Sequence, residues 1–179
     1  MKISIDAAGL EDARKALEGI PGGIERATSR AVNRAILAAR TEGTKDVGKE
    51  YVIRASDVKA NMAIKKAGAG DISAALSVNG SAIDIQKFKV KVKKSGIFVQ
   101  VKRSGGAELP HSFFVTTNGL GIYHRQESSR LPIQKEWGPS MPQMIGNPAI
   151  IEPMSQKSQE AIEKRLPHEV NAILGGFAK

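Results

Sequence analysis

The period of the apolar residues first changes near residue 62, from the spacing of helices to that of strands. Before this point apolar residues recur every three or four positions, which is typical of helices that bury one face. Leu10, Ala13 and Leu17 predict a first helix, and the run Pro21-Gly22-Gly23 predicts its end. From residue 62 to about residue 125, apolar residues alternate with polar or small ones, as in half-buried strands.

The longest predicted element is a helix from Ile24 to about Tyr51. Its apolar arc is rich in alanine, which permits close approach by a neighbouring helix or sheet. Ser56 or Asp57 is expected to cap a short third helix, because either side chain can accept a hydrogen bond from a free N–H of the first turn. Ahead of the first helix, Ile3 and Ile5 predict a short strand.

Residues 62–125 are predicted to form an antiparallel meander, because strands joined by short turns usually pair with their neighbours in sequence. In the first hairpin, residues 72–78 would pair with residues 83–85. The three predicted turns are Asn79-Gly80, Ser95-Gly96 and Asn118-Gly119. In the second hairpin, the inward-facing residues are expected to be Phe88, Val90, Val92, Ile97, Val99 and Val101.

A proline-rich segment, residues 126–147, follows neither period, and we call it the strap. It contains Trp137, the only tryptophan of the chain. The strap is expected to lie extended across a surface, either that of its own subunit or that of a neighbour. Extended proline-rich segments suit assembly because they have little conformational freedom left to lose on docking.

A C-terminal helix is predicted to begin at Asn147 and Pro148, a capping side chain followed by a proline in the first turn. It is expected to restart at Pro153 and Pro167 and to end near residue 176. The whole pattern predicts one α+β domain over residues 1–179, in which N-terminal helices, one of them long and rich in alanine and arginine, pack on an antiparallel meander. Its predicted parts are a helical region (1–61), the sheet (62–125), the extended strap (126–147) and the C-terminal helix (148–176).

Composition adds a strong positive charge to this picture. The chain has 27 lysines and arginines against 18 acidic residues, a formal net charge of +9, and an isoelectric point near 9.9. Such a chain associates readily with anionic polymers. Aromatic residues make up only 4% of the chain, which is few for a protein whose rings stack on the bases of single-stranded nucleic acid.

Cysteine is absent, and we expect neither a signal peptide nor a membrane-spanning segment.

Most of this charge is local to one predicted hairpin. Its seven cations, with no acidic residue between them, are Lys87, Lys89, Lys91, Lys93, Lys94, Lys102 and Arg103. Three interpretations remain open at this point. The lysines discourage unwanted pairing of a strand edge in water, or they contact an acidic protein neighbour, or they bind a nucleic-acid backbone in a salt-dependent way.

A second group of cations lies on the long helix. Arg26, Arg30 and Arg34 recur every four residues and therefore share one face, with Leu37 among them. An apolar residue surrounded by arginines is consistent with a contact face for a partner, although a plain solvated face gives the same pattern. These four residues are candidate partner-binding residues, as are Lys89, Lys91 and Lys93 of the basic hairpin.

Motifs of catalysis are missing from the sequence. His111, His124 and His168 lie in separate segments without metal-ligand spacing. His111 and His124 could meet across the third hairpin, but such a site needs an acidic partner that the sequence does not supply nearby. There is no nucleophile elbow and no phosphate-binding loop. We therefore expect no enzyme activity, no cofactor and no metal.

Two blocks of sequence resemble the bacteriophage minor tail protein Z family. The first is residues 30–59, an alanine- and arginine-rich helix with an Arg-Ala-x-Asn-Arg centre that leads into a Tyr-x-Ile segment at Tyr51. The second is residues 113–144, where a strand bearing Arg125 is followed by Leu-Pro-Ile and then by Gly-Pro-Ser-x-Pro at residues 138–142. The resemblance covers roughly residues 10 to 150.

This resemblance implies a structural phage or prophage protein that acts without catalysis in tail completion or head–tail joining, as a subunit of a ring. Its expected partners are the tail terminator, the tail tube and further copies of itself, with possible non-specific contact to DNA in the tail channel. Its expected location is the virion tail, and the host cytoplasm during assembly. Arg125, Trp137 and Pro139 join the candidate contact residues. The alternative is a small basic nucleic-acid-binding module that uses the hairpin from Lys87 to Arg103.

Overall fold

The structure, a computed structural model, describes residues 7–68, 70–93, 96–116 and 120–176. The helices of these described ranges are α1 (Ala7–Ala16), α2 (Gly23–Glu50), α3 (Ala55–Ala60), α4 (Met141–Ile145) and α5 (Pro148–Leu174). The strands of the same ranges are β1 (Met62–Lys65), β2 (Ala75–Val78), β3 (Ala82–Asp84), β4 (Lys89–Lys93), β5 (Gly96–Lys102), β6 (Gly105–Leu109), β7 (Ser112–Val115), β8 (Gly121–Arg125), β9 (Ile133–Lys135) and β10 (Trp137–Ser140). The predicted strand at Ile3 and Ile5 and the predicted turn at Asn118-Gly119 lie outside the described residues, as do Lys94 and Ser95.

The predicted α+β class is confirmed, with helices at both ends of the described chain and antiparallel strands between them. The described strands form four small sheets, in the orders β1-β2, β10-β3, β4-β5-β6 and β7-β8-β9. The chain divides into two compact units. The helical unit comprises the described residues of Met1–Gly43, Met62–Ser77 and Pro148–Lys179, and the sheet unit comprises those of Thr44–Asn61 and Val78–Asn147. The single domain over residues 1–179 stays a prediction.

The first predicted hairpin is wrong. Strand β2 pairs with β1, and β3 pairs with β10 near the end of the strap. The Asn79-Gly80 step does not turn the chain back, because Asn79 N–H donates to Asn61 O and Gly80 has a φ of +153°, outside the range of the predicted turn. Alternation fixes which face of a strand is buried but not which strand is its partner.

The second and third hairpins are confirmed. Strand β4 pairs antiparallel with β5, and Val90 lies opposite Val99. Strand β7 pairs antiparallel with β8, and the register places Ser112 opposite His124. Val92 lies opposite Ile97, on the same face as Val90, as expected, but its side chain is 68% exposed near the end of the strand.

The core of the helical unit is a seam of small residues on α2 against a buried stripe on α5. Both stripes repeat every four residues. On α2 the buried small residues are Ala27, Ala31, Ala35, Ala39 and Gly43, and on α5 the buried residues are Ile150, Met154, Ser158, Ile162, Leu166, Val170 and Ile173. Ala27 and Ala31 cluster with Leu166, whereas Gly43 lies against Met154, so the two helices run antiparallel. The alanine-rich arc thus has the helix partner that its small side chains allow.

The core of the sheet unit is built from Ile85, Ile97, Val99 and Ile122.

The strap forms strands β9 and β10. It then continues into the short helix α4, which the pattern of its prolines did not predict. Ser140 begins this helix with a capping box, in which its side chain accepts from Gln143 N–H and Gln143 Oε1 accepts from Ser140 N–H. Within the helix, Met141 and Met144 are fully buried.

Two local predictions about helices are also wrong. Neither Ser56 nor Asp57 caps α3, because its N-cap residue is Arg54, which makes no side-chain capping hydrogen bond. Helix α5 begins at Pro148 as predicted, but it continues through Pro153 and Pro167 without restarting. Met154 directly follows Pro153, and Leu166 directly precedes Pro167; both belong to the buried stripe. Their burial offsets the backbone hydrogen bond that each proline removes.

Candidate partner-binding surfaces

The helical unit contains a polar cleft of about 520 Å³ on the exposed side of α2, which we call the arginine cleft. Its lining residues are Arg30, Asn33, Arg34, Leu37, Lys66 and Glu169. Asn33 closes one side of it by holding the loop after β1 against α2. Its Nδ2 donates to Ala67 O at 2.9 Å, and Ala67 N–H donates to its Oδ1 at 2.8 Å. This clamp brings Lys66 to the arginines of the helix.

The electrostatics of the arginine cleft favour an anionic occupant. Glu169 of α5, whose side chain is only 14% exposed, lies 3.8 Å from Arg30 Nη1 and is the one acidic residue among the described residues of the lining. Arg34 and Lys66 are exposed and have no acidic partner in the part of the chain that the structure describes. Leu37, 39% exposed, adds an apolar contact.

The predicted arginine row is therefore divided. Arg30 and Arg34 line the cleft together with Leu37, but Arg26 does not. The Nε of Arg26 donates instead to Gly22 O at 3.2 Å, just before the helix begins. The row shares one face of the helix, but only its two later arginines contribute to the cleft.

The basic hairpin presents Lys89, Lys91 and Lys93 on the solvent face of β4, as the alternation predicts. Part of its charge is neutralised within the protein. Lys93 Nζ lies 3.0 Å from Glu108 Oε1 and 5.0 Å from the centroid of the Phe98 ring. Within the described residues, β4 is an edge strand of its sheet, so its lysines also protect an edge from unwanted pairing.

Two other cations of the hairpin are also engaged. Lys87 Nζ lies 3.0 Å from Asp57 Oδ1 on α3. Arg103 Nε donates to Gly48 O at 2.7 Å, near the C-terminus of α2, where backbone carbonyls lack helical partners. Lys89 and Lys91 have no ion pair among residues of the described ranges. The hairpin therefore exposes fewer unneutralised charges than its sequence suggests.

A third surface lies on one face of the sheet β7-β8-β9, and we call it the cation–aromatic face. The register aligns Phe113, Tyr123 and Lys135 across the three strands, which places their side chains on the same face. The guanidinium carbon of Arg125 lies 5.2 Å from the centroid of the Phe113 ring. Lys135 Nζ lies 4.9 Å from the centroid of the ring of Trp137, which is 51% exposed.

An ion pair fixes Lys135 on the cation–aromatic face. Its Nζ lies 2.6 Å from Asp84 Oδ2, and both side chains are largely shielded from solvent. Burial by itself raises the pKa of Asp84, but the hydrogen bonds from Lys135 and from Gln86 N–H outweigh it, and the net pKa lies below 3.8. The hydrogen bond to Asp84 raises the pKa of Lys135 above 10.5.

Pro139 does not lie on the exposed part of the strap. It is half-buried in β10, between two residues that have structural roles. A Cβ at Gly138 would overlap the ring of Phe88, so only glycine fits there, and Ser140 caps α4. The Gly-Pro-Ser-x-Pro run is thus explained by local packing and capping.

The histidines lack a catalytic arrangement in the described residues. His124 Nδ1 lies 2.8 Å from Glu136 Oε1, so the expectation that no acid lies nearby is wrong. Ser112 Oγ donates to the same carboxylate oxygen at 3.3 Å and not to the imidazole, so there is no pair of nucleophile and base. No group of three or more potential metal ligands occurs among the residues that the structure describes.

In the described ranges, no helix has the length and hydropathy required to cross a membrane.

Sequence reasoning missed Lys66 and Lys135, which complete two of these surfaces. Lys66 follows a short strand, and no feature of its own neighbourhood links it to Arg34 on α2, 32 residues earlier. The alternation of Ile133, Gln134 and Lys135 is a weak signal of a strand within the strap, and it could have placed Lys135 on the same face as Tyr123.

The comparisons with known proteins agree with the resemblance of the two sequence blocks. The family model of prophage minor tail protein Z (GPZ) matches residues 7–178, which extends the resemblance to the C-terminal helix. No curated protein and no solved structure matches the chain. The chain belongs to the prophage minor tail protein Z family.

Proposed function

We propose that this protein completes the tail or joins it to the head through protein–protein contacts, as one subunit of a ring of identical copies. Its partners would be the tail terminator and the tail tube, its final location the virion tail, and its site of assembly the host cytoplasm. The observation that carries the proposal is the cation–aromatic face, where Trp137 stays half-exposed beside Lys135. Tryptophan, tyrosine and arginine dominate the binding energy of protein interfaces.

We also propose that the protein has no enzyme activity. It is supported by the arrangement around His124, which pairs an imidazole and a hydroxyl with one carboxylate and leaves no activated nucleophile. A tail subunit needs complementary surfaces on its flanks and not a reactive cleft. The exposed cations of the arginine cleft and the aromatic rings of the sheet unit provide two chemically different surfaces of this kind.

The test is association with purified tail tubes and tail terminator of the same phage or prophage. The wild-type chain should co-sediment with them, and Trp137→Ala should weaken this association at least tenfold, as expected when an aromatic anchor of an interface is truncated. Leu174→Ala is the matched control, because Leu174 is 52% exposed and lies on α5. Failure of the wild type to associate, together with normal infectious virions from a strain lacking the protein, would overturn the proposal.

The ring can be tested separately by mass measurement over a range of concentrations. A ring subunit should form closed oligomers of one defined size, alone or on the tail tube, because heterologous contacts that close give a fixed copy number. A chain that remains monomeric both in solution and on the tail tube contradicts the ring while leaving a role in tail completion intact.

A second candidate, a nucleic-acid-binding module, is favoured by one observation. A cleft of about 250 Å³ in the sheet unit is lined by Arg54, Lys87, Lys89 and Arg103, with apolar residues and no carboxylate among its lining residues. Binding to duplex DNA should then weaken steeply with salt. Lys89→Ala with Lys91→Ala should reduce the salt slope by about 1 for each phosphate that the protein no longer neutralises. A flat titration at low ionic strength excludes this candidate.

A further inference from the structure

We propose that the arginine cleft binds an acidic segment of a neighbouring tail protein, in which a carboxylate contacts Arg34 and Lys66 and an adjacent apolar side chain contacts Leu37. The inference rests on the proposed function, because it supplies the chemistry of one of the contacts that tail completion requires. It also names Lys66, which is not part of the arginine row, and it leaves out Arg26, which is.

The first argument is that the fold constructs this cleft from distant parts of the chain. Asn33 uses both its amide donor and its carbonyl acceptor to hold Ala67, 34 residues later, and Ala67 is itself buried. These two hydrogen bonds leave the loop after β1 little freedom. The backbone next to Lys66 is thus held against α2 before any partner binds, which lowers the entropic cost of binding.

The second argument is charge complementarity. Three cationic side chains and one carboxylate line the cleft. Glu169 lies beside Arg30, so the charge that remains without an acidic partner in the described chain is that of Arg34 and Lys66. Arginine and lysine side chains held apart across a cleft match one or two carboxylates of an incoming segment.

The third argument separates a peptide from a nucleic-acid backbone. A nucleic-acid backbone gains nothing from Leu37, whose side chain is more than a third exposed in the cleft. An acidic peptide with an apolar residue uses both the cations and Leu37. Charged groups at such a rim select the partner and speed its association.

The test uses the full chain and a fluorescein-labelled peptide of alternating glutamate and leucine. Its probe controls are the matching glutamine–leucine peptide and a labelled DNA duplex. Arg34→Glu and Lys66→Glu should each weaken binding of the acidic peptide about tenfold or more, because each replaces attraction by repulsion. Arg26→Glu is the matched control: it makes the same charge change on the same helix face but outside the cleft. Glu169→Gln should strengthen binding several-fold by removing the competing carboxylate.

Each other outcome counts against the inference. Equal losses in all three charge reversals, including Arg26→Glu, would show a general charge effect and not a site. Loss of duplex binding with unchanged peptide binding would replace the peptide with nucleic acid. Arg34 and Lys66 are both exposed, so their replacement should leave the fold intact. Circular dichroism checks the fold of every variant, with Lys66→Ala as a milder replacement.

The failure of this inference is distinguishable from failure of the proposed function. If the wild type and the cleft variants co-sediment equally with tail tubes and tail terminator, the inference fails and the tail role stands. If the wild type itself does not associate with them and a strain lacking the protein makes normal infectious virions, the tail role fails, whatever the result of the peptide experiment.

Discussion

Lys135 Nζ lies 2.6 Å from Asp84 Oδ2, and this ion pair joins two segments that are 51 positions apart in sequence. The backbone supports it, because Asp84 of β3 is the register partner of Trp137 in β10. The ion pair holds Lys135 over the ring of Trp137 and thereby organises the cation–aromatic face. Stability and the proposed interface thus depend on the same pair of side chains.

Asp84→Asn should lower the melting temperature at neutral pH, because it leaves the ammonium of Lys135 without its carboxylate. The pKa of Asp84 lies below 3.8, so the carboxylate contributes stability above that pH and loses this contribution as the pH falls through its lowered pKa. The difference in melting temperature between wild type and variant should therefore be constant near neutral pH and vanish in acid. Thermal unfolding from pH 2 to 7 measures it.

The control for this prediction is Asp71→Asn, which removes another lysine–aspartate pair. Lys65 Nζ lies 2.9 Å from Asp71 Oδ2, but both side chains are exposed, and surface ion pairs contribute little. Its effect should be smaller than that of Asp84→Asn. Equal effects of the two substitutions would show that the Asp84 pair has no special role.

Gly43→Ala should destabilise the protein by up to about 2 kcal/mol. A Cβ at Gly43 would overlap Met154 Sδ and lie 2.8 Å from its Cε, in a region where Met154 is fully buried. Such overpacking costs about 1–3 kcal/mol and exceeds the gain of about 1 kcal/mol from replacing a helical glycine. Chemical denaturation measures the change.

Gly48→Ala on the same helix is the matched control. A Cβ there meets no other atom within 4 Å, so only the gain in helix propensity remains, about 0.5–1 kcal/mol of added stability. If Gly43→Ala also stabilises the protein, the seam between α2 and α5 is looser than the positions of Gly43 and Met154 indicate.

Ser140→Ala should cost about 1 kcal/mol of stability, because it removes the hydroxyl that caps α4. Ser140→Asp retains an acceptor for Gln143 N–H and should recover most of the loss. Ser81→Ala, at an exposed position, serves as the control and should be neutral. A loss with Ser140→Asp as large as that with Ser140→Ala would contradict a capping role for this serine.

Asn33→Ala should increase amide hydrogen exchange at Ala67 and reduce stability by about 1–3 kcal/mol, because a buried backbone N–H and C=O lose their partners. Asn33→Asp keeps the acceptor for Ala67 N–H and should preserve protection of that amide. Exchange at Gly68, which donates to Asp71 O, reports whether the whole loop has opened. Unchanged exchange at Ala67 in Asn33→Ala would show that the clamp does not hold the loop.

The sequence by itself determined the elements whose signals are local. The long helix α2, the hairpin of β4 and β5 and the start of α5 at Pro148 follow from period, turn residues and capping, which act over a few residues. The same information placed the lysines on the solvent face of β4. It also identified the family, because the two blocks of sequence that carry the resemblance are contiguous.

Only the tertiary structure decided which distant residues meet. Alternation could not choose β10 as the partner of β3, and helical spacing could not show that Arg34 lines a cleft with Lys66 while Arg26 does not. Pairing of strands and closure of a cleft depend on contacts between residues far apart in the chain. Their free energies are set by the register, burial and charge of both partners at once, and no single segment contains that information.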